Sequence, residues 1–484
     1  MKNSLLCSMS MLLAAPLWAS PPDEEQITFE AGSGETVDAF RGAFAVPENR
    51  ADPASRKIML SYVRFPATTS APGAPIVYMA GGPGGSGSGT AAGRRFPLFM
   101  AMRRHGDVIA FDQRGTGNST ELPRCTSSVV PSQTEALSDA AYADLYREAA
   151  AECREFWESE GVDIRGYTTR QSVQDLSDLR QHLGADRMTL WGISYGTHLA
   201  MAALDDIPEE IDRAILASAE GLDQTVKLPA ETDAYFARLQ AAIDLQPAAR
   251  ELYPDIAAMI RRVHARLDTE PTLIELRSRT GESFPFLLQK RHLQEIASRR
   301  IADPENAALM LGLYADLDRG STSVAERLLG FFTAPLEPIT LGAMSTAMDV
   351  ASGISADRLD LFEEQRRQAL LGSYLNFPMP QLLGVWPDLD LGADFRDQLS
   401  GDTPILLLSG TLDGRTYPDS QRAALGGMTN VTAITVEGAG HNLFMTSPDV
   451  GNAMHRFMDR EPIDSKIIKA ETPDMALLPG WAKK

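Results

Sequence analysis

The sequence predicts an α/β fold: a mostly parallel central sheet with helices on both faces and an inserted helical cap. Three observations carry that expectation. Short apolar strand runs alternate with helical periodicity up to about residue 221, and again from about residue 400. Between them, apolar residues recur at helical spacing and strand-like runs are scarce. Finally, one strand-to-helix junction carries Gly192-Ile193-Ser194-Tyr195-Gly196. Alternating strands and helices build a parallel sheet covered on both sides, because parallel strands need crossover connections.

Taken in order, residues 1–19 read as an export signal. Lys2 begins it, an apolar run follows from Leu5 to Leu17, and Leu17-Trp18-Ala19 offers a cleavage site before Ser20. That run is too short to span a bilayer comfortably. Cys7 stands too early to be a convincing lipid-attachment site. The expected destination is therefore a secreted or periplasmic one, with no membrane anchor after cleavage.

Residues 20–221 form the first part of the expected core. Phe40–Val46 and Lys57–Phe65 alternate apolar and polar residues across a turn-rich link, as a hairpin does. Pro75–Met79, Asp107–Phe111, Arg187–Leu190 and Ile211–Ala217 read as buried strands. Asp139–Glu160 and Ser172–Leu183 read as helices by periodicity, and another starts at His198. Residues 222–399 form the expected cap, with helices at Tyr235–Leu245, Ile256–Leu267, Leu288–Ile301, Ala307–Leu317 and Arg358–Leu371. Residues 400–484 return to the core. There Pro404–Ser409 and Val431–Val436 are strands, and Ser420–Leu425 and Asp449–Met458 are helices.

Composition narrows the function. The chain has 484 residues, 44% hydrophobic and 23% charged, as in an ordinary globular protein. Its formal net charge of −20 argues against nucleic acid and anionic membranes as partners. The same acidity mildly favours a cationic ligand such as a peptide N-terminus. Beyond Cys7, the cysteines are Cys125 and Cys153. They form either one disulfide, in an oxidising compartment, or two buried thiols. No spacing of histidine and cysteine suggests a metal, and no cofactor is indicated.

The junction at Ser194 has the pattern of a nucleophile elbow. A tight strand–turn–helix holds a serine oxygen out at the carboxyl edge of a sheet, and small flanking residues let the elements approach. A serine hydroxyl attacks only when a base takes its proton and an acid orients that base. Chain order then selects Asp413, in the loop after strand Pro404–Ser409, and His441, in a small-residue loop after Val431–Val436. His455 lies within a helical pattern and is set aside. The oxyanion of a tetrahedral intermediate needs two donors. The N–H of Tyr195 is expected to supply one, and the glycine-rich loop from Gly81 to Gly87 the other, from Gly82 first and Gly81 second. That loop lacks the Gly-Lys-Ser/Thr ending of a phosphate cradle.

These stretches resemble the α/β-hydrolase superfamily, and within it the proline iminopeptidase and tripeptidyl aminopeptidase family of serine peptidases. The matching residues are Gly81-Gly82-Pro83-Gly84-Gly85-Ser86-Gly87, Asp112-Gln113-Arg114-Gly115-Thr116-Gly117-Asn118-Ser119, Trp191–Thr197, Asp413 and Gly440-His441. The resemblance implies Ser194 as nucleophile, His441 as base, Asp413 as its orienter, and Gly82 and Tyr195 as oxyanion donors. It implies that residues 222–399 cap the site, and that acidic cap residues hold the substrate's free amino group. Cys125 and Cys153 fall where secreted tripeptidyl-type relatives tend to carry cysteines.

Two positions depart from the family pattern. Ala80 stands where proline iminopeptidases usually have histidine, and Asp349-Val350-Ala351-Ser352-Gly353 lacks a Cys-Glu-Asp-like motif. Candidates for the amine site are Glu220, Asp349, Glu363 and Glu364. Asp112 and Arg114 read as structural, an acid and a base locking one tight loop. The expected activity is release of N-terminal residues, proline-type or tripeptidyl-type, from short peptides through an acyl-enzyme. The alternative is an esterase or amidase acting on small acyl substrates, since fold and triad do not fix the leaving group.

Overall fold

The computed structural model describes residues 24–476, so the expected export signal lies outside the described residues. Ten strands form one sheet: β1 Glu25–Glu30, β2 Thr36–Pro47, β3 Lys57–Phe65, β4 Ile76–Met79, β5 Val108–Asp112, β6 Met188–Ser194, β7 Ile211–Ala219, β8 Ile405–Gly410, β9 Val431–Glu437 and β10 Ile467–Lys469. Their spatial order is β1-β2-β3-β5-β4-β6-β7-β8-β9-β10. Pairing is antiparallel from β1 through β3 to β5 and parallel from β5 to β10.

That order places the site. After β4 the chain moves to β5 on one side, then crosses to β6 on the other. Connections therefore leave β4 and β6 in opposite directions, and a crevice opens at their carboxyl ends, where ligands of open α/β sheets bind. β4 and β5 are buried throughout, and β6 is buried from Met188 to Ile193. Such continuous apolar runs belong to strands covered on both faces.

One face of the sheet packs Leu190, Leu199 and Leu216 against Trp157 and Trp386. The other packs Trp191 and Tyr78 against Phe99 and Phe444. Residues 222–399 contribute to two large cores and to a small cluster of Val226, Phe362 and Met379. Tyr235, Ile260, Leu288, Tyr314 and Leu329 build a core of their own. Ile339, Met344, Met348 and Trp386 instead join the sheet's core. Two elements differ from the expectation there. Thr272–Arg277 and Ser283–Leu288 form an antiparallel hairpin, so the helix expected from Leu288 begins at Lys290 and ends at Arg300. The helix expected over Arg358–Leu371 is Ala356–Gln365.

A disulfide joins Cys125 to Cys153. It ties the short strand Cys125–Thr126, paired with Thr340–Leu341, to the helix Asp139–Ser159. In the loop-entropy account a bridge closing 28 residues removes about 3 kcal/mol of freedom from the unfolded chain. Among the described residues no helix is long and apolar enough to cross a membrane.

Candidate active site

Ser194 ends β6 and sits at φ 55°, ψ −130°, outside the regions an L-residue favours. Such a conformation costs of order 1–3 kcal/mol and persists only where the surroundings impose it. Here they do. A Cβ on Gly192 would lie 2.6 Å from the Gly196 carbonyl oxygen, and one on Gly196 would collide with the Met79 carbonyl. Only glycines at these two positions let β4, β6 and the helix Tyr195–Asp206 meet around the serine. Tyr195 is the first residue of that helix, so its N–H has no partner within it.

Asp413 and His441 leave the carboxyl ends of β8 and β9. Asp413 is fully buried, and its oxygens accept from Arg415 N at 2.8 Å, Thr416 N at 2.9 Å and Thr416 Oγ1 at 2.7 Å. His441 Nδ1 lies 3.0 Å from both carboxylate oxygens. Burial raises the Asp413 carboxyl, but His441 and the Thr416 donors outweigh it and hold the group below its ordinary value. The His441 loop is clamped on three sides. Its N–H donates to Ala302 O at 2.7 Å, its carbonyl accepts from Ser218 Oγ at 2.8 Å, and Asn442 donates twice to Asp303.

Ser194 and His441 line one cavity of about 580 Å³, together with Gly81, Gly82, Glu220 and Asp349. The serine hydroxyl and the imidazole make no hydrogen bond to each other in this structure. In unliganded sites such contacts are often long and tighten with substrate. Gly82 has φ 132°, a conformation open to glycine alone. A Cβ on Gly81 would come within 2.9 Å of the Ser194 Cβ.

The Asp112–Ser119 loop buttresses this edge. Asp112 and Arg114 do not pair with each other. Asp112 accepts from Ser86 Oγ, Ser88 N, Ser88 Oγ and Asn118 N, which ties the two glycine-rich loops together. Arg114 reaches away and pairs doubly with Asp175 at 2.6 Å, and it also caps the carbonyls of Glu48 and Gly166. His455 lies in the helix Pro448–Met458, 2.8 Å from His105, and does not line the cavity.

The four acidic candidates separate. Glu220 lines the cavity but is paired with Lys227 at 2.7 Å. Asp349 is half-buried, opens on the cavity and has no side-chain hydrogen bond or ion pair among the described residues. Burial, then the neighbouring Glu220 carboxylate, push Asp349 up to about 7, against the pull of Lys227 and Arg415. Glu363 and Glu364 do not reach the cavity. On the helix Ala356–Gln365, Glu363 pairs with Arg366 at 2.7 Å and Glu364 faces solvent. Sequence reasoning missed Lys227, Arg299 and Arg415, all in the cavity wall. Arg415 had a signal, two residues beyond Asp413 in the same loop; Lys227 and Arg299 had none.

Comparison with known proteins points to the same fold. The alpha/beta hydrolase fold family matches residues 74–299, and the TAP-like protein family matches residues 384–465. Serine protease Hip1 of Mycobacterium tuberculosis is 31% identical over 37% of this chain and 36% of its own length. Tripeptidyl aminopeptidase of Streptomyces coelicolor is 28% identical over 37% of this chain and 34% of its own. Carboxylesterase B of Mycobacterium tuberculosis is 28% identical over 50% of this chain and 48% of its own. The chain thus spans little more than a third of the length of the first two. Its sheet order and these matches agree: the chain has the α/β-hydrolase fold, and it is similar to serine peptidases and to a carboxylesterase.

Proposed function

We propose that this protein is a serine exopeptidase that removes N-terminal residues from short peptides. His441, oriented by Asp413, takes the Ser194 proton as the hydroxyl attacks the scissile carbonyl. The N–H groups of Gly82 and Tyr195 receive the oxyanion. The leaving amine takes its proton from His441, and water that His441 activates then releases the acyl group from Ser194. Asp349 holds the substrate's ammonium. Glu220 shapes that subsite, but its charge is already engaged by Lys227.

The observation that carries this reading is the meeting, in one cavity, of a strained serine, a histidine with its own buried carboxylate, and an unpaired acid. The peptidase-named relatives support it. Export belongs to the same proposal, secreted or periplasmic, and the Cys125–Cys153 disulfide supports an oxidising compartment.

A second reading has a specific support, the relative named carboxylesterase B. On it, the same serine cleaves small acyl esters. Aminoacyl-, prolyl- and tripeptidyl-naphthylamides assayed beside acyl esters separate the two. The exopeptidase reading expects the free-amine naphthylamides to be cleaved and their N-acetylated forms to be refused. Turnover of esters alone would leave the esterase.

A further inference from the structure

The charges in the cavity wall run against the charge of the chain. The protein carries a formal net charge of −20, which favoured a cationic ligand. Yet the wall holds four cations, Arg95, Lys227, Arg299 and Arg415, and two carboxylates, Glu220 and Asp349. Lys227 and Glu220 neutralise each other. Among the described residues, none of the three arginines pairs with a carboxylate. Arg95 is buried and donates to the Tyr78 hydroxyl and to Asn442 Oδ1. Arg415 is half-buried and donates to the carbonyls of Ser298 and Leu375. Arg299, exposed, makes no side-chain hydrogen bond or ion pair among the described residues, though the Glu295 carboxyl one turn earlier lies within electrostatic reach. Arg95 meets neutral acceptors and Arg415, beyond its two carbonyls, feels the Asp349 carboxylate, so four cations face two carboxylates and the wall keeps an excess of positive charge. A cleft lined by unneutralised charge of one sign concentrates ligands of the other.

The position of two of these arginines says which part of a substrate they meet. Ser298 to Asp303 runs along the loop that carries the imidazole. His441 N donates to Ala302 O, Asn442 donates to Asp303, and Arg415 donates to Ser298 O. Arg299 belongs to that segment. The leaving amine takes its proton from the imidazole, so the leaving group lies on the same side.

We propose that Arg299 and Arg415 bind a carboxylate on the leaving group, and that the substrates are accordingly peptides of a few residues with a free C-terminus. The proposal rests on the hydrolase reading of Ser194. A cavity of about 580 Å³ suits a ligand of that size. Guanidinium groups suit its chemistry, since their planar forks match carboxylates. Asp349 and the arginines together select a zwitterion, ammonium at one end and carboxylate at the other.

The test compares matched di- and tripeptides as free acids and as C-terminal amides, with a third set of amides carrying aspartate in the leaving residue. Wild-type protein is expected to favour free acids over amides by roughly tenfold in kcat/KM, chiefly through KM. In Arg299→Gln that ratio falls toward one. Because it is a ratio on one preparation, a partly folded variant does not distort it. Aspartyl amides that match the free acids assign the site to a side-chain carboxylate, and those that match the plain amides assign it to the C-terminus. Equal rates for acids and amides in the wild type, or a preference that survives Arg299→Gln, would overturn the proposal. If no peptide is cleaved, the exopeptidase reading has failed but the carboxylate site is still read. The pair is then 4-carboxyphenyl and 4-carbamoylphenyl acetate, where a preference for the anionic ester supports the site and its absence refutes it.

Discussion

Asp413 and Asp349 are two carboxylates beside one cavity, and they are held in opposite ways. Asp413, at the sheet's edge, is fully buried and surrounded by four donors within 3.0 Å. It stays ionised below the ordinary carboxylate range. Asp349, in the opposite wall, has a carboxylate neighbour and no donor of its own, and is pushed up to about 7. The edge is finished before substrate arrives. The rest of the wall leaves charges open, Asp349 of one sign and Arg299 of the other. Preorganised groups at the edge suit transition-state chemistry, and unpaired groups elsewhere in the wall suit recognition.

The largest effects should come from breaking the edge. Ser194→Ala and His441→Ala are expected to lower kcat by on the order of 10⁴- to 10⁶-fold, and Asp413→Asn by about 10⁴-fold, in steady-state assays with any accepted acyl substrate. KM should change little. A loss of less than about 100-fold in any of them would mean that the edge is not where the chemistry occurs.

Next comes the buttress behind the edge. Arg114→Met leaves Asp175 buried with only Arg50 to pair with. Denaturant unfolding should show a loss of about 3 kcal/mol. A loss near zero would show that the loop from Asp112 to Ser119 is anchored by Asp112 alone.

The rest of the cavity wall should behave differently. Asp349→Asn is expected to raise KM for free-amine substrates about tenfold with little change in kcat. In the wild type that KM should fall as pH rises through about 7 and Asp349 ionises, with Glu220, Lys227 and Arg415 facing it. It should rise again above about pH 8, where a peptide's amine loses its charge. Stability carries the same signature with a definite sign. A raised carboxyl burdens the folded state only where the unfolded chain would be ionised, so the cost grows from about pH 4 and is complete above about 7. Asp349→Asn should therefore melt higher than wild type at pH 8 and converge with it at pH 4, by calorimetry. The smallest effect is expected at Glu363 and Glu364. Replacing either with Gln should leave KM within about twofold, since surface pairs of this kind contribute little.

The two regions also differed in how far the sequence revealed them. The edge is written in local patterns. Gly192 and Gly196 flank Ser194 because backbone crowds backbone there, and Asp413 and His441 each follow a buried strand. Sequence order alone brings such strand ends together once the sheet is parallel. The rest of the cavity wall is assembled from the end of β7, a helix at 343–352, another at 290–300 and the loop after β8. No spacing links Glu220 to Lys227's role, or Arg299 to Asp349, because tertiary packing alone sets those distances. The hairpin at 272–288 had a readable signal, Thr272 to Arg277 alternating in burial before Thr280-Gly281. The helical periodicity on either side of it obscured that signal. The structural reading of Asp112 and Arg114 did not reach their partners for a related reason. Adjacent opposite charges suggest each other, while the fold supplied Asp175 from a distant helix.

The measurement closest to the central claim is covalent labelling of the native protein by a serine-directed fluorophosphonate, read by intact mass and peptide mapping. The account predicts one adduct, on Ser194, formed rapidly by the wild type and lost or slowed by orders of magnitude in His441→Ala. An unlabelled Ser194 in folded protein, or labelling indifferent to His441, would contradict it.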